Sequence, residues 1–102
     1  MIQIKVNAGK GAEKQVHELC ETLRHARVWA VSDRRYTKHL HLTHSSGNVK
    51  GRVKRVESAD PEILTFDCTA RSGVQEAITA GRFVNLVLRD MSSVSDISIH
   101  RR

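Results

Sequence analysis

The sequence predicts an α+β fold, with two helices packed on one face of a largely antiparallel sheet in the order β-α-β-β-β-β-α-β. Three observations predict it. The N-terminus alternates apolar and polar residues with a period of two. Two stretches, near residues 12–26 and 72–91, carry apolar residues at helical spacing. Between them lie three alternating runs separated by turn formers, the pattern of a meander. At 102 residues the chain has room for one core, and residues 1–102 read as a single domain.

Taken in order, Ile2, Ile4 and Val6 fall on one side of the first strand, with Gln3 and Lys5 on the other. Asn7-Ala8-Gly9-Lys10-Gly11 is a turn. From Ala12 the apolar positions become Ala12, Val16, Leu19, Cys20, Leu23 and Ala26, one stripe of a helix whose outer face carries Glu13, Lys14, His17, Glu18, Glu21 and Arg24. Residues 28–32 form a second strand, broken by Asp33-Arg34-Arg35. Two alternating runs, 36–44 and 49–56, flank Ser45-Ser46-Gly47-Asn48, which marks a hairpin. Ser58-Ala59-Asp60-Pro61 turns the chain again, since Pro61 has no N–H to give a ladder. Residues 62–69 then alternate, with Leu64, Phe66 and Cys68 on one side.

Residues 72–91 admit two readings. Ser72 caps a helix running through Val74, Ala77, Ile78, Gly81, Val84 and Leu88, although Gly81 costs about 1 kcal/mol relative to Ala there. The other reading makes Phe83–Leu88 an apolar strand. One long helix is preferred, because Met91-Ser92-Ser93 followed by alternation over 94–99 looks like a helix exit feeding a last strand. In element order, at its two ends, the chain resembles a ferredoxin-like arrangement with extra strands between them. That resemblance carries over no functional residues.

Composition is near the globular average, with 39% apolar and 27% charged residues, which excludes disordered and low-complexity classes. No apolar run reaches the roughly 20 residues of a membrane span, and the alternating start is unlike a signal peptide. A soluble, cytoplasmic protein is expected. Cys20 and Cys68 form no CxxC pair and no metal framework; both fall on apolar stripes, as buried thiols of a reducing compartment do.

The net charge of +6 is concentrated. From Arg34 to Arg55 there are seven bases (Arg34, Arg35, Lys38, Lys50, Arg52, Lys54, Arg55), three of the six histidines and no acid; elsewhere ten bases meet eleven acids. Closing the hairpin over Ser45–Asn48 sets Thr43 opposite Lys50, His41 opposite Arg52, Leu40 opposite Val53 and His39 opposite Lys54. One side then holds Leu40, Leu42 and Val53, and the other His39, His41, Thr43, Lys50, Arg52 and Lys54. A one-residue slip would mix apolar and cationic groups on both sides, so the pattern selects this parity. The same parity turns Lys5, Thr65, Asp67, Ser98 and His100 away from the core. Like charges sharing a sheet face oppose folding, and an anionic partner offsets the repulsion. Lysines on exposed strands also serve to blunt aggregation, which is the plainer account of the same residues.

More specific chemistry finds little footing. Gly9-Lys10-Gly11 lies between a strand and a helix but lacks the glycine spacing and Ser/Thr of a phosphate loop. His39 and His41 share a strand face with Asp67 and His100 as conceivable further metal ligands, yet Lys50, Arg52 and Lys54 would repel a dication, so no metal and no other cofactor is expected. His41-Leu42-Thr43 resembles the His-x-Thr core of two-histidine phosphoesterases, but that family needs two such motifs and the second is missing. Acid–base RNA cleavage by His39 and His41, with Lys54 and Arg52 stabilising the phosphorane, lacks an evident pocket. Phe66 and Phe83 fall away from the open face, which disfavours base stacking.

The expected function is therefore binding of nucleic-acid phosphates, through Arg34, Arg35, Lys38, His39, His41, Lys50, Arg52 and Lys54. The first alternative is a protein-interaction or homodimerisation module using residues 83–88, without nucleic acid. A His-dependent ribonuclease comes third.

Overall fold

A computed structural model describes residues 1–32 and 40–102. Six strands, β1 (Ile2–Asn7), β2 (Trp29–Ser32), β3 (His41–Ser46), β4 (Val49–Val56), β5 (Ile63–Ala70) and β6 (Asp96–Arg101), and two helices, α1 (Ala12–Thr22) and α2 (Gly73–Asp90), follow the expected order. The strands form one sheet in the order β2-β3-β4-β5-β1-β6, with every neighbouring pair antiparallel. β1 sits between β5 and β6, so the two ends of the chain meet: the Arg102 N–H donates to the Met1 carbonyl at 2.8 Å. Among the described residues no helix is long and apolar enough to cross a membrane.

Alternation places Ile2, Ile4 and Val6 of β1, Leu42 of β3, Val53 of β4 and Leu64, Phe66 and Cys68 of β5 on the helix side, all buried. Val16, Leu19 and Cys20 of α1 complete this core together with Ala80, Phe83, Leu86 and Val87 of α2. Phe66 and Phe83 meet edge to face at 4.8 Å between ring centres. Burial, seconded by the Glu76 charge, pushes the Cys68 thiol up to about 11, which makes it a packing group and no nucleophile.

α2 resolves the ambiguous stretch in favour of one helix. The Ser72 hydroxyl accepts from the Gln75 N–H at 3.2 Å, an N-cap that satisfies one orphan donor. Thr79, Ala80, Phe83, Leu86 and Val87 make a helical stripe against the sheet. Gly81 falls on the opposite side, in open space, so it costs propensity but no packing. Phe83, Leu86 and Val87 are spent on the core, and of residues 83–88 only Leu88 and half-buried Val84 keep apolar surface outside. α1 is shorter than its apolar period implies: it stops at Thr22 and continues as a 3-10 turn over Leu23–His25 that still buries Leu23.

The hairpin departs from expectation in its turn. The loop is Gly47-Asn48 alone, with Ser46 opposite Val49. Gly47 has φ +59°, the left-handed conformation a two-residue hairpin loop requires, and glycine reaches it without strain. The four-residue turn over Ser45–Asn48 is thus corrected by two, and the pairs become His41 with Lys54, Leu42 with Val53, Thr43 with Arg52 and Ser45 with Lys50. An even shift preserves the faces. A second glycine, Gly51, lets α2 rest directly on β4: a Cβ there would lie 2.8 Å from Thr79 Cβ.

Candidate functional site

Both helices cover one side of the sheet, and the other side bears the charge. Register lays residues across it in rows. Ser32, His41, Lys54, Asp67, Gln3 and His100 cross all six strands in a single row. Ala30, Thr43, Arg52 and Thr69 form the next, and Val56, Thr65, Lys5 and Ser98 a third. Lys5, Lys50, Arg52 and Lys54 are exposed, and His41 is half-buried. Along β4 the three bases recur every second residue, about 6.8 Å apart at the rise of an antiparallel strand.

Asp67 is the acid set among these bases, directly opposite Lys54. Its Oδ1 accepts from Gln3 Nε2 at 3.1 Å, and Gln3 Oε1 accepts from Arg102 Nη2 at 3.1 Å, so the carboxylate is held by an amide. Among the described residues no ion pair joins Lys5, Lys50, Arg52 or Lys54 to an acid. Arg55 behaves otherwise. Its parity turns it toward the helices, where it is largely buried and paired with Glu13 of α1, Nη1 to Oε2 at 3.1 Å. One base of the cationic segment is therefore structural, and the alternation of β4 separates it from the rest.

Of the eight residues expected at the site, His41, Lys50, Arg52 and Lys54 share this face. Arg34, Arg35, Lys38 and His39 lie outside the described residues. Arg71, which the sequence reading left unassigned, joins Thr43, Lys50, Arg52 and Thr69 around a shallow depression of about 410 Å³. The signal for it was present: Asp67, Thr69 and Arg71 continue the outward parity of β5 by one step.

The six-strand row bears on the metal and nuclease readings. Lys54 stands between His41 and Asp67, and Gln3 between Asp67 and His100. Among the described residues no three His, Cys, Asp or Glu side chains converge as metal ligands do. His41 and Lys54 face each other on an open sheet, where solvent reaches both. Trp29, Phe66 and Phe83 are all buried on the helix side, so among the described residues the open face offers no Phe, Tyr or Trp ring for a base, only the imidazoles of His41 and His100.

His44 lies apart from the other bases of its segment. It is only 1% exposed, under the edge of Trp29 at 4.8 Å between centres. Its Nε2 is 3.2 Å from Arg82 Nη1, and its Nδ1 is buried with no hydrogen-bond partner. Burial first, then the Arg82 guanidinium, holds its pKa below the ordinary range, against a smaller opposing contribution from the Val49 backbone. With Trp29, Arg82, Asn85 and Arg89 it lines a second shallow cleft of about 370 Å³ beside α2. Even-numbered positions of β3 face the helices, which is why His44 follows Leu42 inward while His41 does not.

The chain matches no known protein family, no curated protein and no solved structure.

Proposed function

We propose that this protein binds the phosphate backbone of nucleic acid across the helix-free face of its sheet, in a reducing, cytoplasmic setting. The observation that supports the reading most is the line of Lys50, Arg52 and Lys54 on one exposed strand face, free of ion pairs to acids among the described residues. Arg71, just past β5, and Lys5, on β1, add to it from the β5 side. Regularly spaced cations on a shallow, uncovered surface suit a flexible polyanion better than a compact ligand, because each base can meet a different phosphate while the counterions escape. The absence of Phe, Tyr and Trp from this face among the described residues argues for contacts to the backbone over contacts to bases, hence weak sequence preference.

Fluorescence anisotropy of a labelled single-stranded oligonucleotide, titrated with the purified chain at several salt concentrations, tests this. Affinity should fall linearly with the logarithm of salt and vary little with base sequence. An affinity indifferent to salt would sink the reading.

A further inference from the structure

We propose that two copies of this chain pair through β6, antiparallel and centred on Ser98, so that two six-stranded sheets become one. β6 is an edge strand. Its one partner is β1, and among the described residues nothing pairs with its other side. Proteins protect such edges with proline, lysine, bulges or brevity. Asp96–Arg101 pairs without interruption along β1 and contains no Pro or Lys, and its two formal charges, Asp96 and Arg101, stand at its ends and leave Ile97–Ile99 without one. The opposite edge, β2, has four residues.

The helix side of β6 is also incomplete. Ile99 continues the row of Phe66 and Ile4, both buried, yet stands 54% exposed at the end of it. Ile97, one step along, is half-buried. The apolar row runs off the edge of the molecule into water.

Symmetry then decides the register. A two-fold axis normal to the sheet keeps each face on its own side, so residues set opposite one another must share parity. Centred on Ser98, the pairing sets Ile97 against the partner's Ile99 on the helix side, and Asp96 against the partner's His100 on the open side; both contacts occur twice. Ser98 meets the partner's Ser98. Recentring on Ile99 would put Ile97 against the partner's Arg101, and recentring on Ile97 would put Ser95 against the partner's Ile99. One register therefore matches apolar to apolar at 97 and 99 and acid to imidazole at 96 and 100, with Ser98 on the axis. It also leaves the two cationic faces on the same side of a continuous sheet, although the pairing itself requires no nucleic acid.

The test uses the full chain, stripped of nucleic acid in high salt. Sedimentation equilibrium should show a doubling of mass with concentration, and Ile99→Lys should return the chain to monomer, with a Tm that matches wild type at concentrations where both are monomeric. Ser98→Cys should form a disulfide-linked dimer under mild oxidation, because directly opposed Cα atoms about 4.5–5.5 Å apart lie within disulfide range. Wild type is the blank, since Cys20 and Cys68 are both buried. A monomer at every concentration overturns the proposal, as does cross-linking of Ser98→Cys no faster than that of Glu57→Cys on the exposed surface, or slower than that of Ile99→Cys. None of these outcomes depends on whether the open face binds phosphate.

Discussion

Replacing Lys50, Arg52 and Lys54 together by Ala removes three bases from the open face and, among the described residues, leaves Lys5, Arg71 and Arg102 there. If each base neutralises one phosphate of a single strand, the slope of the logarithm of affinity against the logarithm of salt should be shallower by about 2.1 in the variant than in wild type. Raising salt fourfold should then weaken wild type about 20-fold more than the variant. Anisotropy against one labelled oligonucleotide, at four or more salt concentrations, reads both slopes. The variant should also melt at an equal or higher temperature, since the three bases share one side of one strand and pair with no acid among the described residues. Equal slopes for the two proteins would refute the reasoning, because the bases of β4 would then carry none of the binding. A lower Tm would show instead that they hold the sheet together.

Two glycines should respond oppositely to alanine. Gly51→Ala drives a Cβ toward Thr79 and should cost about 1–3 kcal/mol in urea unfolding, whereas Gly81→Ala meets nothing within 4 Å and should stabilise by about 1 kcal/mol; equal effects would contradict the packing of α2 on β4. The folded pKa of His44 is depressed below its ordinary 6.5, so the unfolded chain takes up this proton first. Stability from this site is complete above that value and lost as pH falls below it. His44→Phe should flatten that part of the Tm–pH curve, and an unchanged curve would mean that His44 is not buried in its neutral form.

The fold was legible because its signals are local. Alternation in β1 and β3 to β5, helical spacing in α1 and the Ser72 cap of α2 each depend on residues close in sequence, and hydrophobic burial turns those periods into elements. The composition of the open face was legible for the same reason: a period of two survives an error of two in register, so His41, Lys50, Arg52 and Lys54 were placed together although their partners were wrong. Alternation also contained the fate of Arg55 and His44, but only the packed structure supplied Glu13 and Arg82 as their neighbours, and these come from helices far away in sequence.

What the amino-acid order determined by itself is which residues share a face, because backbone geometry fixes side-chain direction one residue at a time. The tertiary structure alone decided which faces meet and which are left open. The two-residue turn at Gly47, the closeness of Gly51 to Thr79 and the exposed end of the Ile99 row all follow from contacts between elements, and a contact between distant segments leaves no periodic trace in either of them.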